Sequence, residues 1–160
     1  MKNIGIDNSC IGKGIKMEEC KIKNLYNLNE TIAKELLEKS TYPWEVLQEI
    51  EKYILEIGKN LDEEEYDKVG ENVWIAKNAK VAPTAYINGP TIIGKNAEIR
   101  HCAFIRGNAI VGENAVVGNS TELKNVILFN NVQVPQLIPW HLYILKFLLN
   151  IPDFDTHCHW

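Results

Sequence analysis

Two basic residues, Arg106 and Lys124, lie eighteen positions apart in the sequence, and Asn88 lies eighteen positions before Arg106. Arginine and lysine are common partners of phosphate groups, because both carry a positive charge and several N–H donors. If the fold stacks residues at this interval, the three side chains form one column and the two cations become neighbours. The pattern then predicts an anion site suited to phosphate. The alternative is a surface pair of cations neutralised by Glu122.

Histidine and cysteine are the other side chains that could do chemistry here, as metal ligands. His101 is the only histidine in the repeat region described below, and a zinc site needs at least three protein ligands, so we interpret His101 as a polar surface residue. The sequence His157-Cys158-His159 is a weak metal motif, and we expect no metal. The cysteines show no CxxC spacing and indicate reduced thiols. They are Cys10, Cys20, Cys102 and Cys158.

A six-residue repeat supplies the scaffold for these residues. Every sixth position holds a branched aliphatic anchor, and Phe129 continues the row: Val69, Ile75, Val81, Ile87, Ile93, Ile99, Ile105, Val111, Val117 and Leu123. Most positions four residues after an anchor are small, as at Ala97, Ala103 and Ala109. A period of six fits a solenoid in which each unit is one short strand and a corner. We therefore predict a mainly β protein, a parallel β-helix with three units per coil and the anchors inside.

The positions between the anchors predict the corners and the outer surface. Asparagine, which tolerates a positive φ, recurs at the corners, at Asn72, Asn78, Asn96, Asn108 and Asn114. The residues just before the anchors face outward and give two columns with apolar members, which are Tyr86, Phe104, Glu122 and Ile92, Ile110, Leu128. Such apolar columns need cover, either from the N-terminal helices or from a second subunit.

The sequence before the repeat predicts two helices between residues 25 and 58. Asn29 is the expected cap of the first helix, Pro43 begins the second and Gly58 ends it. Their apolar stripes are Ile32, Ala33, Leu36 and Leu37, then Trp44, Leu47, Ile50, Ile54 and Ile57. We expect these helices to cap the open end of the solenoid, because an uncapped end exposes strand edges. The predicted organisation is an irregular extension (1–24), a helical cap and linker (25–68), the β-helix (69–135) and an apolar tail (136–160).

Composition excludes several classes of function. The net charge is −4 without a stripe of Lys and Arg, which argues against a nucleic-acid partner. No apolar run has the length of a membrane span, and the first residues do not resemble a signal peptide, so we expect a cytoplasmic protein. Met17 is an alternative start of the natural chain.

Residues 93–135 resemble the hexapeptide domain of UDP-N-acetylglucosamine pyrophosphorylase and glucosamine-1-phosphate acetyltransferase. The segment TIAKELLEKSTYPWEVLQEI resembles shorter bacterial pyrophosphorylase-related proteins, and the more specific motif is Gly118-Asn119-x-x-Glu122-x-Lys124. The resemblance implies a homotrimeric left-handed β-helix that transfers an acetyl group from acetyl-CoA to the amine of a sugar phosphate, in UDP-N-acetylglucosamine biosynthesis. It also implies that Arg106 and Lys124 hold the phosphate, with Asn88, Glu122 and Asn119 in support.

The sequence departs from that family after Pro135. The family's general-base histidine corresponds to Gln136, and glutamine cannot accept a proton near pH 7. The expected tyrosine is Pro139, the strict six-residue count places His141 at the next anchor, and the coils that form the acetyl-CoA groove are missing. The tail is apolar nearly all round. It is either a buried cap helix, from near Pro139 to Asn150, or an out-of-frame sequence, which we favour because the break falls within a motif.

Two functions follow from these observations. The first is a sugar-phosphate N-acetyltransferase-family protein that is weakened or inactive in this form. The second is a non-catalytic subunit that binds a sugar phosphate or nucleotide sugar, or that serves as a trimeric interaction subunit. A metalloenzyme similar to the γ-class carbonic anhydrases is disfavoured, because His101 is the single histidine of the repeats.

Overall fold

The computed structural model describes residues 17–135. The predicted irregular extension lies mostly outside this range, as do Cys10, Gln136, the apolar tail and the His157-Cys158-His159 motif. The choice between Met1 and Met17 as the natural start also falls outside it.

The repeat region forms a parallel β-solenoid, which confirms the predicted fold class. The twelve strands in the described range form three sheets, and eleven of them pair in parallel. Sheet A contains β2 (Val73–Ala76), β5 (Thr91–Ile93), β8 (Ala109–Val111) and β11 (Val126–Leu128). Sheet B contains β3 (Lys80–Val81), β6 (Glu98–Ile99), β9 (Val116–Val117) and β12 (Gln133–Val134). Sheet C contains β4 (Tyr86–Ile87), β7 (Phe104–Ile105) and β10 (Glu122–Leu123).

The predicted anchors from Ile93 to Leu123 fill the interior of the prism. They pack with the small residues of the repeat in one buried cluster, which contains Ile93, Ala97, Ile99, Ala103, Ile105, Ala109, Val111, Ala115, Val117, Leu123 and Leu128. Anchors of the first coil are less buried, and Val81 is 37% exposed, because no earlier coil lies beneath it. Full burial of each such side chain is worth about 1.5–3 kcal/mol, so the stacked column is a main source of stability.

The step between stacked residues shortens in the last coil. Glu122 pairs with Phe104 at a spacing of eighteen, whereas Val126 pairs with Ala109 at a spacing of seventeen. The missing residue belongs to the corner between β10 and β11, where Asn125 accepts a hydrogen bond from the Asn108 side chain at 2.9 Å. The prediction therefore fails at two positions. Leu128 is an interior anchor that is 1% exposed, and Phe129 lies outside the prism, where its ring stacks on Tyr26.

The first predicted anchor is also wrong. Val69 lies in β1 (Tyr66–Gly70), which runs antiparallel to β2, and its side chain is 60% exposed. β1 covers the free edge of sheet A at the first coil, so the parallel repeat begins at Val73.

Asparagine occupies the sharp corners as predicted, with one exception. Asn72, Asn96, Asn108 and Asn114 all have a positive φ, between 51° and 57°. Cys102, Ser120, Asn125 and Asn131 share this conformation. Asn78 is not in this group; instead its side-chain oxygen accepts a hydrogen bond from the backbone N–H of Asn96 at 3.0 Å.

The N-terminal segment consists of short helices that lie along the outer face of sheet A. The α-helices are α1 (Ile22–Leu25), α2 (Lys34–Glu38) and α3 (Ile50–Gly58), and 3₁₀ helices span Met17–Cys20, Leu28–Glu30 and Pro43–Gln48. Their buried residues pack against Trp74, Ile92 and Ile110. These helices therefore supply the predicted cover for Ile92 and Ile110. The expected cap on an open end is a different placement: the contacts shown are with the side of the solenoid, at Trp74, Ile92 and Ile110.

Two details of the predicted helices are also corrected. Asn29 does not cap a helix; Asn27 caps the turn at Leu28–Glu30, and the Asn29 side chain contacts Lys34. Pro43 begins a 3₁₀ helix, whose three-residue turn places Pro43 and Val46 on the inside. Trp44 and Leu47 are consequently about half exposed, at 49% and 45%.

Candidate functional site

Asn88, Arg106 and Lys124 directly follow the three strands of sheet C, at the same end of each strand. The backbone N–H of Asn88 donates to the carbonyl of Ile105, and that of Arg106 donates to the carbonyl of Leu123, both at 2.8 Å. The eighteen-residue step therefore holds at this position. Since neighbouring strands lie about 4.8 Å apart, the predicted column of one amide and two cations is present in the backbone arrangement.

Arg106 also forms the ion pair that was the alternative prediction. Its Nη1 lies 2.8 Å from Oε1 of Glu122 in the next coil, and the two side chains are 46% and 32% exposed. An ion pair this exposed contributes about 0–1 kcal/mol to stability. Lys124 is exposed and has no ion pair within residues 17–135. This part of sheet C thus holds two cations and one carboxylate, and the Arg106 guanidinium keeps further N–H donors for a ligand.

An exposed pair of aromatic rings lies beside the cation column. Tyr86 and Phe104 precede Asn88 and Arg106 by two positions, so they share the outer face of sheet C. Their ring centroids are 5.7 Å apart in an edge-to-face arrangement. Tyr86 is 62% exposed and Phe104 is 36% exposed. The outer face of sheet C therefore combines an apolar surface with a net positive one.

Asn119, which the family resemblance adds to the site, is not part of this column. It lies before β10, whereas Lys124 follows that strand, so the two residues are at opposite ends of it. Its neighbour Ser120 donates a backbone hydrogen bond to the carbonyl of His101 at 3.0 Å, which places this corner beside His101. Glu122 and Asn88 are brought to the column, and Asn119 is not.

His101 lies at an exposed corner with Thr84 and Cys102. Thr84 Oγ1 is 3.0 Å from His101 Nδ1 and accepts a hydrogen bond from the backbone N–H of Cys102 at 3.1 Å. This cluster is not among the sites predicted from the sequence, although the eighteen-residue separation of Thr84 and Cys102 is a signal for it. Within the described part of the chain, no three His, Cys, Asp or Glu side chains come together as metal ligands.

A cavity of about 340 Å³ with a mixed polar and apolar lining lies between the N-terminal segment and the corner that follows the strands of sheet A. Thr31, Tyr66, Glu113 and Asn130 are among its polar lining residues. Burial raises the pKa of the Tyr66 hydroxyl, and the Glu113 carboxylate adds to the effect. The repeat pattern does not predict this cavity, because it forms only where two distant parts of the chain meet.

Comparisons with protein-family models, with curated proteins and with solved structures gave no match for this chain. Within residues 17–135, every helix is too short or too polar to cross a membrane. The assignment of function therefore depends on the geometry of sheet C and on the sequence resemblance.

Proposed function

We propose that the protein binds a sugar phosphate on the outer face of sheet C, with the phosphate held by Arg106 and Lys124. The observation that carries this proposal is the stacking of the two cations in adjacent coils, where Glu122 pairs with Arg106 and Lys124 has no ion pair among the described residues. Glu122 fixes one edge of the Arg106 guanidinium and leaves its other donors free. A phosphate between the two side chains relieves the repulsion that the column contains.

The same surface can hold the sugar ring. Tyr86 and Phe104 lie on the coils that also carry Asn88 and Arg106, within reach of a ring attached to the bound phosphate. Small-molecule sites typically combine apolar and aromatic contacts with a few oriented polar groups. We assign the apolar face of the sugar ring to the aromatic pair and its hydroxyl groups to the Asn88 side-chain amide.

The sequence resemblance extends this proposal to the sugar-phosphate N-acetyltransferases, with acetyl-CoA as co-substrate and a homotrimeric assembly. In that family the base that accepts the proton of the attacking amine occupies the position of Gln136. Because an amide side chain cannot accept this proton near pH 7, we infer that acetyl transfer by this chain is weak or absent. Binding without catalysis is then the principal activity.

Calorimetry with glucosamine-1-phosphate tests the binding proposal. Arg106→Ala and Lys124→Ala each remove a charged hydrogen-bonding partner, so each should weaken binding by about 10-fold or more. Arg100→Ala is the matched control, because Arg100 forms the same kind of ion pair with Glu98, at 2.7 Å, on sheet B. Unchanged affinity in both Arg106→Ala and Lys124→Ala would rule out the proposed anion site.

A separate assay tests the catalytic part. We expect acetyl transfer from acetyl-CoA to glucosamine-1-phosphate to be near background for the natural chain. A Gln136→His variant that also carries a restored C-terminal repeat should gain activity. The absence of any gain would count against the acyltransferase assignment and would leave the binding result unaffected.

A further inference from the structure

The cavity beside Tyr66 is assembled from distant parts of the chain. The N-terminal segment supplies Thr31, β1 supplies Tyr66, and the corners after β8 and β11 supply Glu113 and Asn130. The volume of about 340 Å³ is within the range of small-molecule sites. The apolar part of the lining comes from Ile32, Ile92 and Val111. A small ligand that is part hydrocarbon and part polar matches this lining.

Glu113 brings a negative charge to the cavity and has no ion pair within residues 17–135. Lys95 lies eighteen residues earlier, in the neighbouring coil, and could pair with it. Instead the Nζ of Lys95 lies 2.8 Å from Oε2 of Glu65. In the following coil, the side-chain oxygen of Asn130 accepts a hydrogen bond from the backbone N–H of Glu113 at 2.9 Å. This corner therefore holds two carboxylates and one ammonium group, which leaves one negative charge uncompensated.

Two hydroxyl groups line the same cavity. The Thr31 side chain is buried, and its Oγ1 accepts a hydrogen bond from the backbone N–H of Ala33 at 3.2 Å. A hydroxyl oxygen has two lone pairs, so Thr31 can accept a second hydrogen bond. The Tyr66 hydroxyl has no hydrogen-bond partner among the described residues, and Glu113 lies close enough to add to the effect of burial on its pKa. The cavity thus offers a carboxylate and two hydroxyl oxygens as acceptors.

A primary ammonium group complements these acceptors. It carries one positive charge and three N–H donors, and it accepts no hydrogen bond. We propose that the cavity binds a small aliphatic amine, with its ammonium group at the Glu113 carboxylate and the two hydroxyls and its hydrocarbon chain on the apolar lining. The bound chain covers Ile32, whose side chain is otherwise 41% exposed.

An NMR titration of the full chain with hexylammonium tests this proposal, with n-hexanol and hexanoate as ligands of similar length and different charge. The amide signals of Gly94, Gly112 and Glu113 should shift. Hexylammonium should bind about 3- to 10-fold more tightly than n-hexanol, because only the ammonium pairs with the carboxylate. Hexanoate should bind more weakly than n-hexanol, because Glu113 repels it. Equal affinity for hexylammonium and n-hexanol would overturn the proposal.

Glu113→Gln removes the charge, keeps the size of the side chain and should weaken hexylammonium binding about 3- to 10-fold. Glu71→Gln is the matched control and should leave the affinity unchanged. Glu71 is likewise exposed and without an ion pair within residues 17–135, and it follows β1 at the end opposite Tyr66. Unchanged affinity in Glu113→Gln would overturn the proposal, since Glu113 would then be an ordinary solvated carboxylate.

Tyr66→Phe keeps the aromatic ring and removes one acceptor, so it should weaken hexylammonium binding about 2- to 10-fold. This variant preserves the test if Glu113→Gln does not fold. In that case, an affinity equal to that of the natural chain would count as the contrary result.

Discussion

Leu128 stacks on Val111 at a spacing of seventeen residues, although the preceding anchor, Leu123, stacks on Ile105 at a spacing of eighteen. The shorter step turns Leu128 into the prism and Phe129 out of it. Phe129 then packs on Tyr26, with ring centroids 5.1 Å apart. Because the corner is one residue shorter, Leu128 continues the interior column and Phe129 contacts the N-terminal segment.

Replacing Leu128 tests this register. Leu128→Ala should lower the free energy of unfolding by about 2–5 kcal/mol, because it leaves a cavity in a buried column. Leu47→Ala is the control, since Leu47 is 45% exposed, and its cost should stay below about 1 kcal/mol. Urea denaturation measures both. Equal costs would mean that Leu128 faces outward, as the unbroken six-residue period predicts.

Gly112 marks a corner where two coils approach closely. A Cβ atom at Gly112 would lie 2.5 Å from the carbonyl carbon of Phe129, whereas at Gly70 the nearest atoms, of Val73, are 3.7 Å away. Gly112→Ala should therefore cost about 1–3 kcal/mol or more, because backbone must move to admit the methyl group. Gly70→Ala should be close to neutral. Thermal unfolding of both variants would show the difference, and similar melting temperatures would contradict this packing.

Removing the negative charge of Glu122 tests whether Arg106 belongs to a phosphate site or only to an ion pair. In Glu122→Gln the guanidinium of Arg106 loses the carboxylate that competes with phosphate. Because one negative charge beside the site is removed, glucosamine-1-phosphate should bind about 3- to 10-fold more tightly. Stability should change by less than about 1 kcal/mol, since the pair is exposed. Glu98→Gln, on sheet B, is the control. Weaker binding in Glu122→Gln would show that the carboxylate itself contacts the ligand.

The buried hydroxyl of Tyr26 should make the folded chain less stable at alkaline pH. Burial raises the pKa of its hydroxyl, which has no hydrogen-bond partner within residues 17–135. The folded chain therefore keeps this proton where the unfolded chain loses it. The resulting stability is complete below the ordinary tyrosine pKa of about 10 and is lost as the pH rises beyond it.

Tyr26→Phe should reduce that alkaline loss and change stability at neutral pH by no more than about 1 kcal/mol. Burial also raises the pKa values of Tyr53 and Tyr66, so part of the loss should remain. Tyr86→Phe, at an exposed position, is the control. Urea denaturation at several pH values measures the slope, and identical slopes for the natural chain and Tyr26→Phe would contradict the assignment.

The six-residue period by itself determined the solenoid, the interior anchors from Ile93 to Leu123 and most asparagine corners. Each depends on local alternation, because a short strand and a sharp turn fix which side chains point inward. The eighteen-residue step also predicted the neighbouring positions of Arg106 and Lys124. The sequence left open whether Arg106 pairs with Glu122, and the structure shows that pair at 2.8 Å.

Only the tertiary structure decided the shift at Leu128, the place of the N-terminal helices and the cavity beside Tyr66. Leu128 and Phe129 are both apolar, so the pattern alone cannot show which of them turns inward after a residue is lost. The helices pack on the outer face of sheet A because Trp74, Ile92 and Ile110 form an apolar surface there. The repeat period predicted the column of Ile92 and Ile110 but left open whether the helices or a second subunit covers it, because that choice depends on contacts between distant parts of the chain.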